Sequence, residues 1–387
     1  MSEYQYYEFR AVDRSLTREE MAELRELSTR AEITPTSFTN TYNFGDFRGD
    51  PLKLVERYFD VFLYVANWGS HELLLRIPRR MVDVKEIQPY LLGEATEYHE
   101  AGDNIILELR SEGEGGYWEQ GEGWLPDILP VREALIRGDR RALYIAWLLE
   151  VSQTYGDAED VEDEDEDVEE EDEDVGEDVE PPVPPGLGKL SPALERLAEF
   201  LRIDQDLLAV ASEHSANLER EDLDEAAFQR WVAALAAAEK DDLLFRLARG
   251  EAGLGVDLQR RFVQEHRTAP APASSKPRTA RQLMRLARQH AERRQRLQAE
   301  RAARERNRQL DALAAREPET WRQVEALIEE KQGRSYDEAV SLLKDLRDLA
   351  AREGRREAFA SRIQDLRVRY KSRSALRERL DSASLTA

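Results

Sequence analysis

Polar and apolar positions alternate with period two over residues 4–12, with Tyr7, Phe9 and Ala11 on one face and Glu8 and Arg10 on the other. That alternation predicts a strand covered on one side. Thr17 followed by Glu20 reads as a capping box, opening a helix that turns Met21, Leu24 and Leu27 inward. Period two returns over 35–44, where Phe38, Tyr42 and Phe44 oppose Ser37, Thr39 and Thr41. Asp50 and Pro51 have the character of an N-cap and a first helical residue. The helix they open is expected to carry a stripe of Leu52, Val55, Phe59, Phe62 and Ala66. Leu73, Leu75 and Ile77 give a further strand, and Ile105, Leu107 and Leu109 a later one paired with 94–100. Strands that are apolar on one face only point to an antiparallel sheet. Residues 1–153 are therefore expected to form an α+β domain, an antiparallel sheet with helices on one face. Two helices close it, near 127–137 and 140–153, with Gly138 ending the first and Asp139 capping the second.

The pattern then breaks. Residues 156–180 hold 18 acids in 25 positions, without a base or an aromatic, and self-repulsion predicts a disordered tract. PPVPPG at 181–186 reads as a stiff polyproline spacer, so that 154–190 forms an acidic and Pro-rich linker. Residues 191–266 are predicted helical, opened by Ser191 and Pro192. Their apolar content, including Leu194, Leu197, Phe200, Leu201, Phe228, Trp231, Leu235, Leu243 and Leu244, suffices for a small bundle. A second linker, 267–279, precedes a long basic helix over 280–316, whose leucines are too widely spaced for a heptad seam. Residues 317–387 read as a helical hairpin or three-helix bundle. Trp321, Val324 and Ile328 mark its first helix, and Ser335 with Glu338 suggests a second capping box. Val340, Leu343, Leu346 and Leu349 lead to a stop at Gly354. The expected fold class is thus an α+β domain, an acidic linker, then all-α modules.

Charge sharpens this division. The 387 residues carry 56 Lys plus Arg against 80 Asp plus Glu, a net charge of −24. Residues 151–180 alone contribute −18, whereas 267–387 sum to +11, so the acidic average conceals a basic C-terminal third. Such asymmetry suggests an interaction tail or an internal electrostatic partner. Only 8 of the bases are Lys; this bias toward Arg is read as a GC-rich bacterial genome rather than as phosphate recognition. Cysteine is absent, which excludes disulfides, thiolate metal sites and a cysteine nucleophile. No signal peptide or membrane span is read, and a cytoplasmic location without membrane association is expected.

Candidate chemistry is sparse. The histidines His71, His99, His214, His266 and His290 show no i, i+3 or i, i+4 pairing, and no nucleophile-elbow, phosphate-loop or zincin motif occurs. His99, beside Glu97 and Glu100, reads as a solvated or core position. Asp46 and Asp50 flank Arg48 in a Gly-rich turn, where turn formation and helix capping explain them. The hydroxyl row Ser37, Thr39 and Thr41 either lines a groove or decorates a strand. The acidic tract fails as an EF-hand because Val168 stands where the loop needs Gly. No catalytic, cofactor-binding or metal-ligating residue is assigned, no cofactor is expected, and the reading leans away from an enzyme.

The basic helix is the strongest functional signal. Arg281, Arg285, Arg288, Arg293, Arg294, Arg296, Arg301, Arg304 and Arg308 are candidate nucleic-acid contacts along a phosphate backbone. No aromatics interleave them and no base-reading module accompanies them, so such binding would be independent of sequence. Trp118 and Trp124, in a Gly-rich acidic loop, are either partner anchors or residues folded back onto the sheet. With Trp321, Val340, Leu343 and Leu346 they form the candidate protein-docking set.

Two resemblances add expectations. The segments EYQYYEF, ITPTSFTN and GDFRGD resemble an uncharacterised family of bacterial proteins with no assigned activity. SYDEAVSLLKDLRDLAAREG, SRIQDLRVRY and LRERLDSASL are similar to the C-terminal helical tail of bacterial SWIM zinc-finger proteins. This second likeness covers roughly the last 70 residues and includes no metal-binding part, and without cysteine the finger itself is excluded. It implies a shared docking tail and carries over no functional residue. The expected function is that of a modular, non-enzymatic adaptor with a protein partner. Sequence-independent nucleic-acid binding by 280–316, modulated by the acidic tract, is the alternative. An enzyme in the N-terminal domain, gathering Asp46, Arg48, Asp50, His99 or Thr39, is a third reading.

Overall fold

The computed structural model describes residues 3–113, 120–156, 178–217, 225–249, 254–266 and 277–385. Seven strands form one antiparallel sheet in the order β2-β3-β1-β4-β5-β7-β6. They are β1 (Gln5–Arg10), β2 (Glu32–Thr34), β3 (Ser37–Tyr42), β4 (Val61–Ala66), β5 (Ser70–Pro78), β6 (Thr96–Ala101) and β7 (Asn104–Glu112). The expected pairing of 94–100 with the Ile105 strand is present, with Glu97 opposite Glu108 and His99 opposite Ile106.

Helices cover both faces, one more than the sequence suggested. Helix α1 (Arg18–Leu27) opens with the complete Thr17–Glu20 capping box, and α2 (Pro51–Arg57) with the Asp50 cap. Leu24, Leu54 and Val55 from these helices pack on Phe9, Phe38, Phe62, Leu74 and Ile106. Phe9 and Phe62 stack there at 4.4 Å between ring centroids. The opposite face carries Leu63, Val65, Leu73, Leu75, Leu107 and Leu109. Helices α3 (Val84–Ile87), α4 (Trp124–Ile128), α5 (Pro130–Ile136) and α6 (Arg141–Tyr155) contribute Ile87, Leu125, Ile128, Leu135, Tyr144 and Trp147 to the same core. Central strands apolar on both sides need two covers, because an uncovered aromatic face would stay in water.

The stripe expected to continue α2 is instead two elements. The helix stops at Arg57, and Phe62 and Ala66 lie on β4. VFLYVA is β-branched and aromatic, favouring the pleated conformation. Asp60, fully buried, fixes the break: its carboxylate accepts from the Val12 and Asp13 amides at 2.6 and 2.9 Å and pairs with Arg76 at 2.6 Å.

The remaining helices are α7 (Pro192–Phe200), α8 (Gln205–Ser212), α9 (Glu225–Ala234), α10 (Ala237–Ala248), α11 (Leu254–His266), α12 (Ala280–Ala315), α13 (Glu317–Glu329), α14 (Gly333–Arg352), α15 (Arg356–Arg369) and α16 (Ser374–Ser382). The chain divides into two compact units, Met1–Ala291 and Glu292–Ala387, with the boundary inside α12. The first unit does not end with the sheet domain. Leu194, Leu197, Phe200, Leu207 and Val210 of α7 and α8 join the sheet core, as do Ala280, Leu283 and Ala287 of α12.

Buried polar bonds fix this attachment. Arg202 donates to His71 Nε2 at 2.9 Å, and His71 Nδ1 stands 2.7 Å from the Phe200 carbonyl. Arginine only donates, so Nε2 accepts and Nδ1 carries the proton; His71 is a neutral core histidine. The ends of both expected linkers are packed as well. Val179 bridges Thr279, Tyr90 donates to the Pro182 carbonyl, and Glu180 pairs with Arg278 at 2.6 Å, their side chains 2% and 8% exposed. Tyr144 completes that cluster by donating to Glu180. The acidic stretch 157–177 lies outside the described residues.

Among α9–α11, Phe228, Trp231 and Phe262 make a local aromatic cluster. Neither α9 nor α10 has a fully buried residue, and Leu244, expected in a bundle core, is 63% exposed. In the second unit, α14 packs on α13, α15 and α16. Gly354 takes φ +70° just beyond α14, as a helix-ending glycine should. The second capping box is absent: α14 begins at Gly333 without a side-chain cap, and Ser335 donates to Glu330. Among the described residues no helix is long and apolar enough to cross a membrane.

Candidate functional site

Helix α12 is laid down by composition. Ala, Arg, Gln, Glu and Leu fill it, and all are strong helix formers. Its apolar spacing decides where it is covered. Leu283 and Ala287 return at i, i+4 and are buried, and Leu310 and Leu313 belong to the second unit's core. Over 292–309 every residue except Arg306 is exposed.

The nine candidate arginines do not form one row. At about 100° per residue, Arg293, Arg294, Arg301, Arg304 and Arg308 fall within an arc of about 100°, and Arg296 about 60° beyond it. Arg281, Arg285 and Arg288 belong to the other side of the helix and to the first unit. Arg304 reaches Glu300 at 3.6 Å and Arg308 reaches Glu305 at 3.7 Å, all four side chains being half or more exposed. Exposed pairs of this kind hold their charges only loosely, about 0.3–0.5 kcal/mol each. Arg306 points elsewhere, to Asp345 at 2.8 Å and Asp348 at 2.6 Å on α14, where it is a structural clamp.

The docking set is corrected by burial. Trp321, Val340, Leu343 and Leu346 are core residues of the second unit, with Leu343 fully buried. The same periodicity that suggested a docking stripe is what a helix needs to bury a face in its own bundle. Trp124 is also buried, stacked under Arg196 with the guanidinium carbon 3.5 Å from the ring centroid. Trp118 lies outside the described residues.

A second polar cluster, which the sequence did not single out, occupies one end of the sheet face carrying α1 and α2. Gln5 accepts from Tyr7 at 2.6 Å and from Tyr64 at 3.1 Å, and donates to Asp46 at 3.1 Å. Burial pushes Tyr7 up to about 12 and raises Tyr64 as well, with nearby Glu72 and Asp46 reinforcing the shift. Along the same face, His99 Nε2 lies 2.5 Å from Glu108 Oε2 and 4.0 Å from Glu97 Oε2. Arg110 pairs with Glu108 Oε1. Burial, with Glu108 alongside, pushes Glu72 up to about 7.

Of the residues weighed for a hidden enzyme, Asp46 and His99 thus share this face. Thr39 aligns with Glu8 on the opposite one, Arg48 is exposed, and Asp50 caps α2. The signal for the cluster was register: Glu97 and His99 are two apart on one strand, and only the β6–β7 pairing sets Glu108 opposite. Compared with known proteins, no family model matches this chain, and no curated protein or solved structure matches it either.

Proposed function

We propose that the protein is a non-enzymatic interaction protein that binds nucleic acid, without sequence preference, through residues 293–308 of α12. The observation that carries this is the arc of five exposed arginines on a helical stretch belonging to neither core. The stretch spans about 22 Å, long enough to follow several phosphates of a duplex backbone. Aromatic side chains are absent from it, so contacts go to phosphate and not to bases.

The test is fluorescence anisotropy of the full chain with a mixed-sequence DNA duplex and a mixed-sequence RNA. Reversing four charges (Arg293→Glu, Arg301→Glu, Arg304→Glu and Arg308→Glu) is expected to weaken binding at least a hundredfold while leaving thermal melting unchanged. Equal binding by the variant and the parent contradicts the reading. Removal of 157–177 is expected to tighten binding, because it takes away acidic charge that repels a polyanion.

A second reading, docking of a protein partner, is favoured by α10. There Leu244, Phe245 and Leu247 are 61–63% exposed, an unusual density of apolar surface. Its signature is affinity that survives high salt, which phosphate contacts do not.

A further inference from the structure

The β5–β7–β6 end of the sheet face carrying α1 and α2 holds a run of ionisable side chains, Glu72, Glu97, His99, Glu108 and Arg110. Glu97 and His99 project from β6 to the same side as Glu108 on β7, because residues two apart on a strand share a face and Glu97 is Glu108's cross-strand partner. One ligand atom from each of these three side chains lies within 4.8 Å of the others. Metal–ligand bonds of about 2.0–2.2 Å place neighbouring ligand atoms about 3.4 Å apart in a tetrahedral shell. The separations from His99 Nε2, 2.5 Å to Glu108 and 4.0 Å to Glu97, bracket that value. Side-chain rotation can even them out, since Glu97 and His99 are partly exposed (43% and 31%).

The neighbours of Glu108 fit a ligand role too. Glu108 is only 3% exposed and divides its oxygens: Oε1 receives Arg110, and Oε2 faces the imidazole. Such a division orients a ligating carboxylate from behind. We propose that Glu97, His99 and Glu108 bind one divalent transition-metal ion, with the exposed side of the site left to water. One imidazole and two carboxylates suit Zn²⁺ or Mn²⁺, whereas Mg²⁺ and Ca²⁺ prefer shells made wholly of oxygen. This site is independent of α12 and does not rest on nucleic-acid binding.

Because the acidic tract also attracts cations, the test must report on the site itself. The full chain, labelled with ¹⁵N-histidine and stripped with chelator, is titrated with Zn²⁺ while imidazole resonances are followed. His99 is assigned by its loss in a His99→Gln variant. The expected result is a saturating shift of the His99 signals near one equivalent. In Glu97→Gln, whose altered side chain is half-exposed, affinity falls about tenfold or more with unchanged melting. A His99 signal unmoved by a tenfold excess of Zn²⁺ overturns the proposal. So does a shift spread equally over all histidines, or a Glu97→Gln titration that superimposes on the parent.

Discussion

Over residues 280–291 of α12, Ala280, Leu283 and Ala287 return every three or four positions and are buried against the sheet unit. Over 292–309, Leu297, Ala299, Ala302 and Ala303 gather into no covered stripe, and all residues but Arg306 face solvent. The helix and its Arg-rich composition are continuous through both stretches. What differs is the spacing of a few apolar side chains, and that spacing buries one stretch and leaves the other in solvent. A helix that is polar all round cannot lean on a core, so its own propensity and its i, i+4 pairs must hold it.

The contrast can be broken most severely just upstream of α12. Arg278→Met leaves Glu180 buried without its cation, and we expect the first unit to lose about 3–5 kcal/mol in denaturant unfolding. Pairing it with Glu180→Leu should restore much of the loss; if the single variant is neutral, the clasp holds nothing. Next in size is a comparison of two leucines. Leu283→Ala empties a fully buried position and should cost about 2–5 kcal/mol. Leu297→Ala, at a site 47% exposed, should stay within about 0.5 kcal/mol. Equal costs would mean that the second stretch is covered after all. Smaller again is Ala299→Gly, expected to cost about 1 kcal/mol of local helix stability, read as faster amide exchange confined to 292–309.

The smallest effect is at α1, which packs in a different core cluster from the start of α12, and gives the pH dependence. The Arg14 guanidinium and the Thr17 amide hold Glu20 down to about 2. A lowered carboxyl contributes stability that is present above its unfolded value, near 4.5, and lost as pH falls toward 2. Glu20→Gln should therefore cost under about 1 kcal/mol at pH 7, and the difference should vanish between pH 4.5 and 2.

Local signals were legible in the sequence wherever neighbours alone decide the structure. The Thr17–Glu20 box, the Asp50–Pro51 and Ser191–Pro192 starts and the β6–β7 hairpin all depend on residues a few positions apart. Misreadings came where distant groups decide. Phe59, Phe62 and Ala66 fit a helical stripe, yet Asp60 is held by the ends of β1 and β5, and the chain turns into a strand. Ser335 and Glu338 have the spacing of a capping box, but the helix had already begun at Gly333. Trp321, Val340, Leu343 and Leu346 form an apolar stripe whose partner is the unit's own core. The exposed arginines of α12 were visible as charge, but their separation into two sides needed the helix register. His99 looked isolated because its partner Glu108 stands nine residues away, across a hairpin.

The most direct measurement is the slope of log K against log salt for the full chain with a DNA duplex, compared with Arg301→Ala/Arg304→Ala. Five phosphate contacts predict a slope of about −4.5, and loss of two arginines should reduce its magnitude by about 2. A slope that is the same in both proteins, or no binding at low salt, would contradict the assignment of α12 as the nucleic-acid-binding element.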